Sequence, residues 1–335
     1  MPAVRSANFS VNSTHQIGEV LLRLGICHKA LSVSSGVDLL ENLILHTSMI
    51  EGFSGFSKPL DEARYVIVGV PYDHTSTYRA GSRFAPRAIR EASFNIETYS
   101  LHTGIDLEHV PIFDAGDLHV VDDLQETLRR LSRVTEDILS SQKMPVCIGG
   151  EHTISLGPVR SLPKSVGVVS FDAHGDLRDE YGGGRFSHAT VLRRITELVG
   201  ANGVFVCGVR ALCKEEVEFI EGNRIQHLTP WEIRGHGEAQ AVKKLEAFTT
   251  SFEHTYLTID MDVLDPAFAP GVANPEFEGL TPSELLPLIS AAVDGRMMGF
   301  DLVEVCPNYD TGATAVASAR LIFEVIAKVE KSKKG

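Results

Sequence analysis

The sequence predicts an α/β domain in which helices cover both faces of a sheet with parallel central strands. Short runs rich in β-branched and other apolar residues recur between residues 65 and 303, and they end in glycine or charged residues. Such runs are typical of buried parallel strands. The stretches between them carry apolar residues at helical spacing, and this alternation of strand and helix favours a layered α/β architecture.

Six of the apolar runs are predicted to be strands of this sheet. They are residues 65–70, 146–148, 166–171, 204–206, 255–259 and 298–303. The first run leads into Pro71, and the second ends at Gly149 and Gly150, so turn residues mark where these strands stop.

Three helices are predicted from apolar spacing and from end signals. Residues 123–140 repeat apolar side chains every three or four positions, as the buried face of a helix requires. Thr281 is a candidate N-cap, because Pro282 suits the first helical position and Glu284 the first turn. Residues 314–328 have the spacing of a final amphipathic helix.

The chain is predicted to have one main domain, residues 61–335, preceded by an extension, residues 1–60. No linker, charge block, repeat or low-complexity tract divides residues 65–330. The extension is polar and rich in serine, with one apolar helix candidate at residues 37–50. We expect the extension to pack on the domain or on a neighbouring subunit, or else to be a loose tail.

Composition and charge exclude several classes of protein. The 335 residues include 31 Lys and Arg against 44 Asp and Glu, a formal net charge of −13, whereas a nonspecific nucleic-acid binder needs a basic surface. No apolar run approaches the roughly 18 residues of a membrane span, and the first ten residues lack the pattern of a secretory signal. Five cysteines are scattered without a CxxC pair. We therefore expect a cytoplasmic protein with reduced thiols that binds neither nucleic acid nor membrane.

Acidic residues and histidines follow the predicted strands at the points where those strands end. They are His152, Asp172, His174, Asp176, Asp260, Asp262 and Glu304. Ligands bind at the carboxyl ends of the strands in an open α/β sheet. A capping cluster, a loop turn or a buried histidine would explain each motif alone, but their occurrence at successive strand ends favours one shared site.

The spacing and chemistry of these residues favour a metal site. Asp172, His174 and Asp176 are two apart, as are Asp260 and Asp262, and in an extended chain such residues point the same way. Unpaired carboxylates at close range would repel one another, and a cation would remove that repulsion. Two His and four Asp offer nitrogen and oxygen donors without thiolate, which suits Mn²⁺ or a similar divalent ion better than structural zinc.

The charge of such a site adds an expectation about its substrate. Two divalent ions would balance the four aspartates, and a hydroxide generated between them would leave a charge of about −1. This charge suits a cationic substrate.

Three of these segments resemble the signatures of the ureohydrolase family, which comprises arginases, agmatinases and their relatives. The segments are residues 149–153 (GGEHT), 170–176 (SFDAHGD) and 258–266 (TIDMDVLDP). The resemblance extends from residue 65 to the C-terminus and leaves the extension uncovered. It implies the arginase fold, a three-layer α/β/α domain with a mostly parallel eight-stranded sheet, and it makes residues 61–335 the catalytic domain.

The resemblance also implies a binuclear site with two Mn²⁺ ions per subunit, although the donor set would accept Ni²⁺, Co²⁺ or Fe²⁺. By motif position, one ion would be held by His152, Asp172, Asp176 and Asp260, and the other by Asp172, His174, Asp260 and Asp262. Asp172 and Asp260 would then bridge the two ions. All six ligand positions are filled, which argues against a non-catalytic, regulatory relative.

Two further residues take roles from the resemblance. His188, in residues 187–190 (SHAT), would shuttle protons towards the leaving amine, although Ala189 stands where the family more often has glycine. Imidazole suits this role because it titrates near neutral pH. Glu304 would pair with the substrate guanidinium, which a carboxylate can bind through two parallel hydrogen bonds. The implied reaction is attack on the guanidinium carbon by hydroxide held at Asp176, and it yields urea and an amine.

The substrate is less well defined than the reaction. The segments most similar to archaeal-type agmatinases are residues 71–76, 83–86, 176–181 and 269–275. Cys213 stands where arginases use an aspartate to read the α-amino group, so we expect agmatine, cleaved to putrescine and urea. Arginine or a guanidino acid such as guanidinobutyrate is the alternative, because Arg178 and Arg185 flank the predicted substrate loop and could bind a carboxylate.

The resemblance implies partners as well as chemistry. The expected partners are a small cationic guanidino substrate and further copies of the chain, since relatives are commonly trimers or hexamers. Deacetylases share this fold, but Glu304 together with the paired Asp260 and Asp262 favours guanidino substrates.

Overall fold

The structure is a computed structural model that describes residues 41–48, 52–55 and 58–334. Its strands, in chain order, are β1 (Thr47–Ser48), β2 (Tyr65–Gly69), β3 (Tyr99–Ser100), β4 (Ile105–Asp106), β5 (Ile112–Leu118), β6 (Met144–Ile148), β7 (Gly167–Phe171), β8 (Val204–Cys207), β9 (Gln226–Leu228), β10 (Thr255–Asp260) and β11 (Met297–Val303). Strands β3 and β4 form a separate antiparallel pair. The other nine form one sheet in the order β1-β5-β2-β6-β11-β10-β7-β8-β9.

The main sheet is mostly parallel, as expected. The eight strands from β5 to β9 across the sheet run parallel, and the two-residue β1 adds an antiparallel edge to β5. The α/β fold class with eight parallel strands is thus confirmed. The two-residue strand β1 is an addition to these eight, and no apolar run in the sequence indicates it.

Helices cover both faces of this sheet. The α-helices of the described residues are α1 (Glu41–His46), α2 (Ala85–Ser93), α3 (Leu124–Ser140), α4 (Leu156–Arg160), α5 (Val191–Val199), α6 (Lys214–Asn223), α7 (Pro230–His236), α8 (Glu238–Thr250), α9 (Pro282–Ala292) and α10 (Ala313–Ser332). The three predicted helices are α3, α9 and α10. The predicted N-cap of α9 is also confirmed, since the Thr281 hydroxyl accepts from the Glu284 amide at 3.2 Å and the Glu284 carboxylate accepts from the Thr281 amide at 2.8 Å.

Alternate strand residues build the two sides of the core. Ile67 of β2 belongs to the hydrophobic cluster that includes Leu285 of α9 and Ile322 of α10. Its neighbour Val66 belongs to a different cluster, with Leu131 of α3. A strand that is buried on both faces has a continuous apolar sequence. Such runs therefore identified strands correctly: all six predicted strands are present, and their ends differ from the predicted ones by two residues or fewer.

Strands β5 and β9 were not predicted, because their sequences are not apolar runs. In β5, Asp114 is buried and accepts from the Arg90 guanidinium at 2.7 Å. Asp117 of the same strand accepts from the same guanidinium at 2.7 Å. A buried ion pair satisfies these carboxylates, so the strand tolerates polar residues that hide it from a hydropathy pattern.

The predicted helix at residues 37–50 is partly wrong. Within its described part, α1 ends at His46, and Thr47 and Ser48 instead pair with Leu118 and Asp117 of β5. Residues 1–40 lie outside the described residues, so the expectation about the rest of the extension stays a prediction. Among the described residues, no helix is both long and apolar enough to cross a membrane.

Candidate active site

The candidate site lies at the carboxyl ends of four strands that are neighbours in the middle of the sheet. These strands are β6, β11, β10 and β7, in that order. The chain leaves β6 towards His152, β7 into Asp172, and β11 into Glu304, while Asp260 is the last residue of β10. The structure therefore brings together the strand ends that the sequence singled out, as the parallel arrangement requires.

Three carboxylates surround the imidazole of His152. Its Nδ1 lies 3.1 Å from Asp172 Oδ2, 3.0 Å from Asp176 Oδ2 and 3.4 Å from Asp260 Oδ2. All four side chains are buried. This group has the composition predicted for one of the two metal positions.

A second group forms around His174. Its Nδ1 lies 2.9 Å from Asp262 Oδ2 and 3.7 Å from Asp172 Oδ1. Asp172 thus directs one carboxylate oxygen towards each histidine. A carboxylate placed in this way could contact a cation beside each histidine.

The local geometry differs from the extended chain assumed for these motifs. Asp262 lies in a single 3₁₀ turn, Met261–Val263, whose N-cap Asp260 accepts from the Asp262 amide at 2.9 Å. Asp176 adopts a left-handed backbone conformation, with φ of 49°. Turns, not the pleating of a strand, thus aim these two carboxylates at the site, so the expectation of an extended chain is wrong for Asp176 and Asp262.

The donor set fits divalent cations. Among the described residues, His152 Nδ1 and Asp172 Oδ2 are buried and lack a hydrogen bond of acceptable geometry, which is rare for buried polar atoms. The ligand atoms of His152, Asp172 and Asp176 lie within 4.8 Å of one another, as do those of Asp172, His174 and Asp262. Imidazole nitrogen with carboxylate oxygen is a donor set for Mn²⁺ and similar ions.

Protonation equilibria also indicate a cation site. Burial and the neighbouring Asp172 carboxylate raise the pKa of Asp176 to about 7. Burial, with Asp262 and Asp172 beside it, raises the pKa of Asp260 well above its ordinary value. Burial would lower the pKa of His152, but the three close carboxylates raise it instead. The metal-free site thus retains protons that balance its carboxylates, and divalent ions would displace those protons.

A buried hydrogen-bond network contacts Nε2, the second ring nitrogen of His152. His152 Nε2 lies 3.1 Å from Thr258 Oγ1, which donates to Asp301 at 2.5 Å. Ser155 and Tyr256 also donate to the Asp301 carboxylate, at 3.0 and 2.7 Å. Hydrogen bonding to its second ring nitrogen fixes the orientation of a ligating histidine. This network was missed, because hydroxyls within strands carry no motif.

Glu304 lines the pocket and has one carboxylate oxygen without a hydrogen-bond partner. Its Oε1 accepts from the His152 amide at 2.7 Å, while Oε2 is buried and has no partner among the described residues. Burial, and then the nearby Glu151, raises the pKa of Glu304 well above its ordinary value. A cationic ligand would satisfy this oxygen and favour its ionised form.

His188 is buried at the wall of the same pocket. Its Nδ1 lies 3.2 Å from Thr75 Oγ1, and the Tyr181 ring meets the imidazole edge-on, with ring centroids 5.6 Å apart. Burial, and then the charges of His174 and His152, lowers the pKa of His188 to about 4. The ring is therefore neutral at pH 7.

The pocket above these residues encloses about 360 Å³ and is strongly acidic. Its described lining carries one guanidinium, that of Arg178, and six carboxylates: Asp176, Glu216, Asp260, Asp262, Glu276 and Glu304. His152 and Asp172 lie beneath them. Glu216 and Glu276 were not predicted, because neither follows a recognised strand and each is one acid among many.

The two arginines that could have bound a substrate carboxylate differ in position. Arg178 lines the pocket, 3.9 Å from Glu216, with its guanidinium 5.2 Å from the Tyr181 ring centroid. Arg185 instead pairs with Glu197 at 3.2 Å and Asp179 at 3.6 Å, and it is not among the lining residues. The structure thus brings Arg178, but not Arg185, to the pocket lining. Cys213 does line the pocket.

Comparison with known proteins gives a consistent result. The family model described as "Arginase family" matches residues 63–327. An agmatinase of Halalkalibacterium halodurans is 36% identical over 273 residues, which cover 79% of this chain and 92% of the relative. An N(1)-aminopropylagmatine ureohydrolase of Thermococcus kodakarensis is 37% identical over 276 residues, covering 81% of this chain and 92% of the relative.

Solved structures show the same likeness. The crystal structure of an agmatine ureohydrolase of Thermoplasma volcanium superposes with a TM-score of 0.80 at 34% sequence identity. The match covers 86% of this chain and 97% of the other. The shared fold therefore includes the parallel sheet whose strand ends carry the site.

Proposed function

Because this chain belongs to the arginase family, we propose that it is a metal-dependent hydrolase that cleaves agmatine into urea and putrescine. The observation that carries the proposal is the unpartnered, buried Glu304 Oε2. The pocket that Glu304 lines also carries Glu216 and Glu276, two carboxylates outside the proposed metal positions, against one guanidinium. Such a pocket favours a substrate with a positive charge at each end, because each charge is attracted by the acidic walls. Agmatine has a positive charge at each end. The names of the proteins similar to this chain point to the same class of substrate.

We assign the metal ligands as the sequence motifs indicate. His152, Asp172, Asp176 and Asp260 would hold one Mn²⁺ ion, and Asp172, His174, Asp260 and Asp262 the other. When bound, two such ions supply Lewis acidity and lower the pKa of water at the site.

The protein groups then have separate tasks. Glu304 binds the guanidinium and fixes its plane, while Asp176 orients the attacking water by accepting its hydrogen bond. His188 carries a proton to the departing amine nitrogen. The acidic walls stabilise positive charge on the amine that leaves.

The test is release of urea by the Mn²⁺-treated protein with a panel of substrates. We expect turnover to be highest with agmatine, compared with N(1)-aminopropylagmatine, arginine, guanidinobutyrate and guanidine. Asp260→Asn is the control, since loss of a bridging ligand should remove metal and activity together. Failure of every guanidino compound to release urea would refute the proposed function.

Arginine or a guanidino acid remains the second candidate, because Arg178 lines the pocket. If Arg178 binds a substrate carboxylate, Arg178→Gln should raise the KM for guanidinobutyrate about tenfold or more. Arg185→Gln is the matched control, since Arg185 pairs with Glu197 outside the lining. For agmatine as substrate, we expect Arg178→Gln to leave the KM unchanged or lower it.

We also propose that the working protein is a cytoplasmic homo-oligomer, a trimer or hexamer, as the family resemblance implies. Light scattering coupled to size-exclusion chromatography would measure its mass directly. A monomer at micromolar concentration would contradict this proposal.

A further inference from the structure

Glu151 is a buried carboxylate that the proposed reaction does not use. It is fully buried one residue before His152, and no basic side chain of the described residues forms an ion pair with it. It accepts instead from Thr75 N at Oε2 (2.7 Å) and, at Oε1, from the hydroxyls of Thr75 (2.7 Å) and Thr153 (2.6 Å). Three donors converge on one carboxylate, which thus acts as an acceptor only.

The Thr75 hydroxyl connects this carboxylate to His188. The His188 amide donates to Thr75 Oγ1 at 3.1 Å, and His188 Nδ1 lies 3.2 Å from the same oxygen. A hydroxyl has one proton to donate and two lone pairs that accept. Its proton goes to Glu151, so its contact with Nδ1 is satisfied only if Nδ1 carries the ring proton.

The neutral state of His188 makes this bonding pattern decisive. Burial keeps the ring uncharged at pH 7. A neutral imidazole carries a proton on only one of its two nitrogens, and the hydrogen bonds of the ring determine which nitrogen that is. A proton on Nδ1 leaves the lone pair on Nε2. His188 lines the pocket beside Asp176 and Glu304, where a proton acceptor is required.

We propose that Glu151 is a positioning residue that acts through Thr75 to hold His188 in the tautomer with the proton on Nδ1. The inference rests on the proposed function. In each cycle, Nε2 takes a proton from the attacking water and gives it to the amine nitrogen as the C–N bond breaks. The water oxygen ends on the carbon of urea, its second proton is released to solvent, and the imidazole returns to its starting state.

Two substitutions break the relay in different ways. Glu151→Gln puts an amide donor beside Thr75, so the Thr75 hydroxyl can turn to Nδ1 and shift the ring proton to Nε2. Thr75→Val removes the link while Glu151 keeps the Thr75 amide and Thr153 as donors. We expect kcat to fall about 100-fold or more in both variants, in line with loss of a positioned acid–base group, with metal content and KM little changed.

Conservative variants serve as matched controls. Thr75→Ser retains the hydroxyl and should restore most of the activity lost in Thr75→Val. Thr153→Val removes a hydroxyl that donates to the same Glu151 oxygen and lies 3.5 Å from Thr75 Oγ1. Because the Thr75 hydroxyl still donates to Glu151, this variant should preserve the tautomer. If Glu151→Gln fails to fold, Thr75→Val still tests the relay.

Tautomers are read by ¹H–¹⁵N NMR of the full chain, labelled at histidine and treated with diamagnetic Zn²⁺. We expect the proton on Nδ1 in the wild-type protein and Thr75→Ser, and a mixed or Nε2 signal in Thr75→Val and Glu151→Gln. An Nε2 proton in the wild-type protein would overturn the inference.

A double-mutant cycle separates this relay from a merely structural role. If Thr75 acts through His188, then Thr75→Val should add nothing to the defect of His188→Ala. Additive losses would overturn the inference. If the wild-type protein hydrolyses no guanidino compound, the proposed function fails, whereas the NMR measurement still decides the tautomer.

Discussion

Two acidic residues of the site have backbone conformations that side chains usually avoid. Asp176 and Glu304 have φ values of 49° and 65°, and a left-handed conformation at a non-glycine residue costs on the order of 1–3 kcal/mol. Both carboxylates end up facing the pocket. Backbone strain of this kind cannot be recognised from composition or spacing, so the motifs identified these residues without showing how they are aimed.

Substitution of Glu304 by glutamine should reduce substrate binding without removing metal. Glutamine keeps an oxygen for the His152 amide but loses the charge that would face the guanidinium, at a cost of about 2–3 kcal/mol. We therefore expect kcat/KM to fall about 100-fold, measured by urea release, with the metal content unchanged by atomic emission.

Glu221→Gln is the control for that experiment, because Glu221 is exposed on α6 and lies outside the pocket lining. It should behave like the wild-type protein. Loss of metal from Glu304→Gln would show instead that Glu304 supports the metal site, and the assigned role would then be wrong.

At the scale of elements, the site depends on four strands being neighbours. Residues far apart in sequence meet because β6, β11, β10 and β7 lie side by side. The sequence predicted these strands and the residues after them, since both leave local signals. The order of strands is a non-local property, and it entered through the family resemblance rather than through any hydrophobic pattern.

The first helix of the described N-terminal extension is held by a side chain of α3. Asp137 accepts from the Asn42 amide at 2.7 Å, from Asn42 Nδ2 at 3.3 Å and from the Leu43 amide at 3.2 Å. It therefore caps the short helix α1, whose first amides have no partner within the helix. Local sequence around residue 41 could not indicate this cap, because the capping residue is 94 or 95 positions away.

Replacement of Asp137 by alanine should destabilise the protein and spare its activity. Removal of a charged cap leaves amides unsatisfied and costs about 1–2 kcal/mol. We expect a lower thermal midpoint by differential scanning calorimetry with an unchanged kcat. Glu136→Ala, at an exposed neighbouring position, is the matched control, and equal effects of the two substitutions would contradict the capping role.

For the whole molecule, the metal site opposes stability until cations bind. Asp172, Asp176, Asp260 and Asp262 are all buried at one edge of the sheet. Their mutual repulsion is an energetic cost of the fold. Part of the formal net charge of −13 therefore lies inside the protein and not on its surface. Composition gives only the number of acids, whereas the strand-end motifs singled out these four.

This cost predicts how the stability of the metal-free protein varies with pH. The pKa of Asp176 is raised to about 7 in the folded protein, while an aspartate in an unfolded chain titrates near about 3.9. Between these values the folded state binds more protons than the unfolded state, so stability falls as pH rises from about 4 to about 7 and remains low above that.

Asp176→Asn should remove the part of this dependence that Asp176 contributes, because asparagine does not ionise and readily adopts a left-handed conformation. Without metal, the variant should unfold several degrees above the wild-type protein at pH 8, and the difference should shrink towards pH 5. With Mn²⁺ present the order should reverse at pH 8, since the wild-type protein gains stability from binding and the variant has lost a ligand. Scanning calorimetry at both pH values, with chelator and with Mn²⁺, measures all four differences. A gap between the metal-free proteins that is the same at pH 5 and pH 8 would show that the ionisation of Asp176 is not its cause.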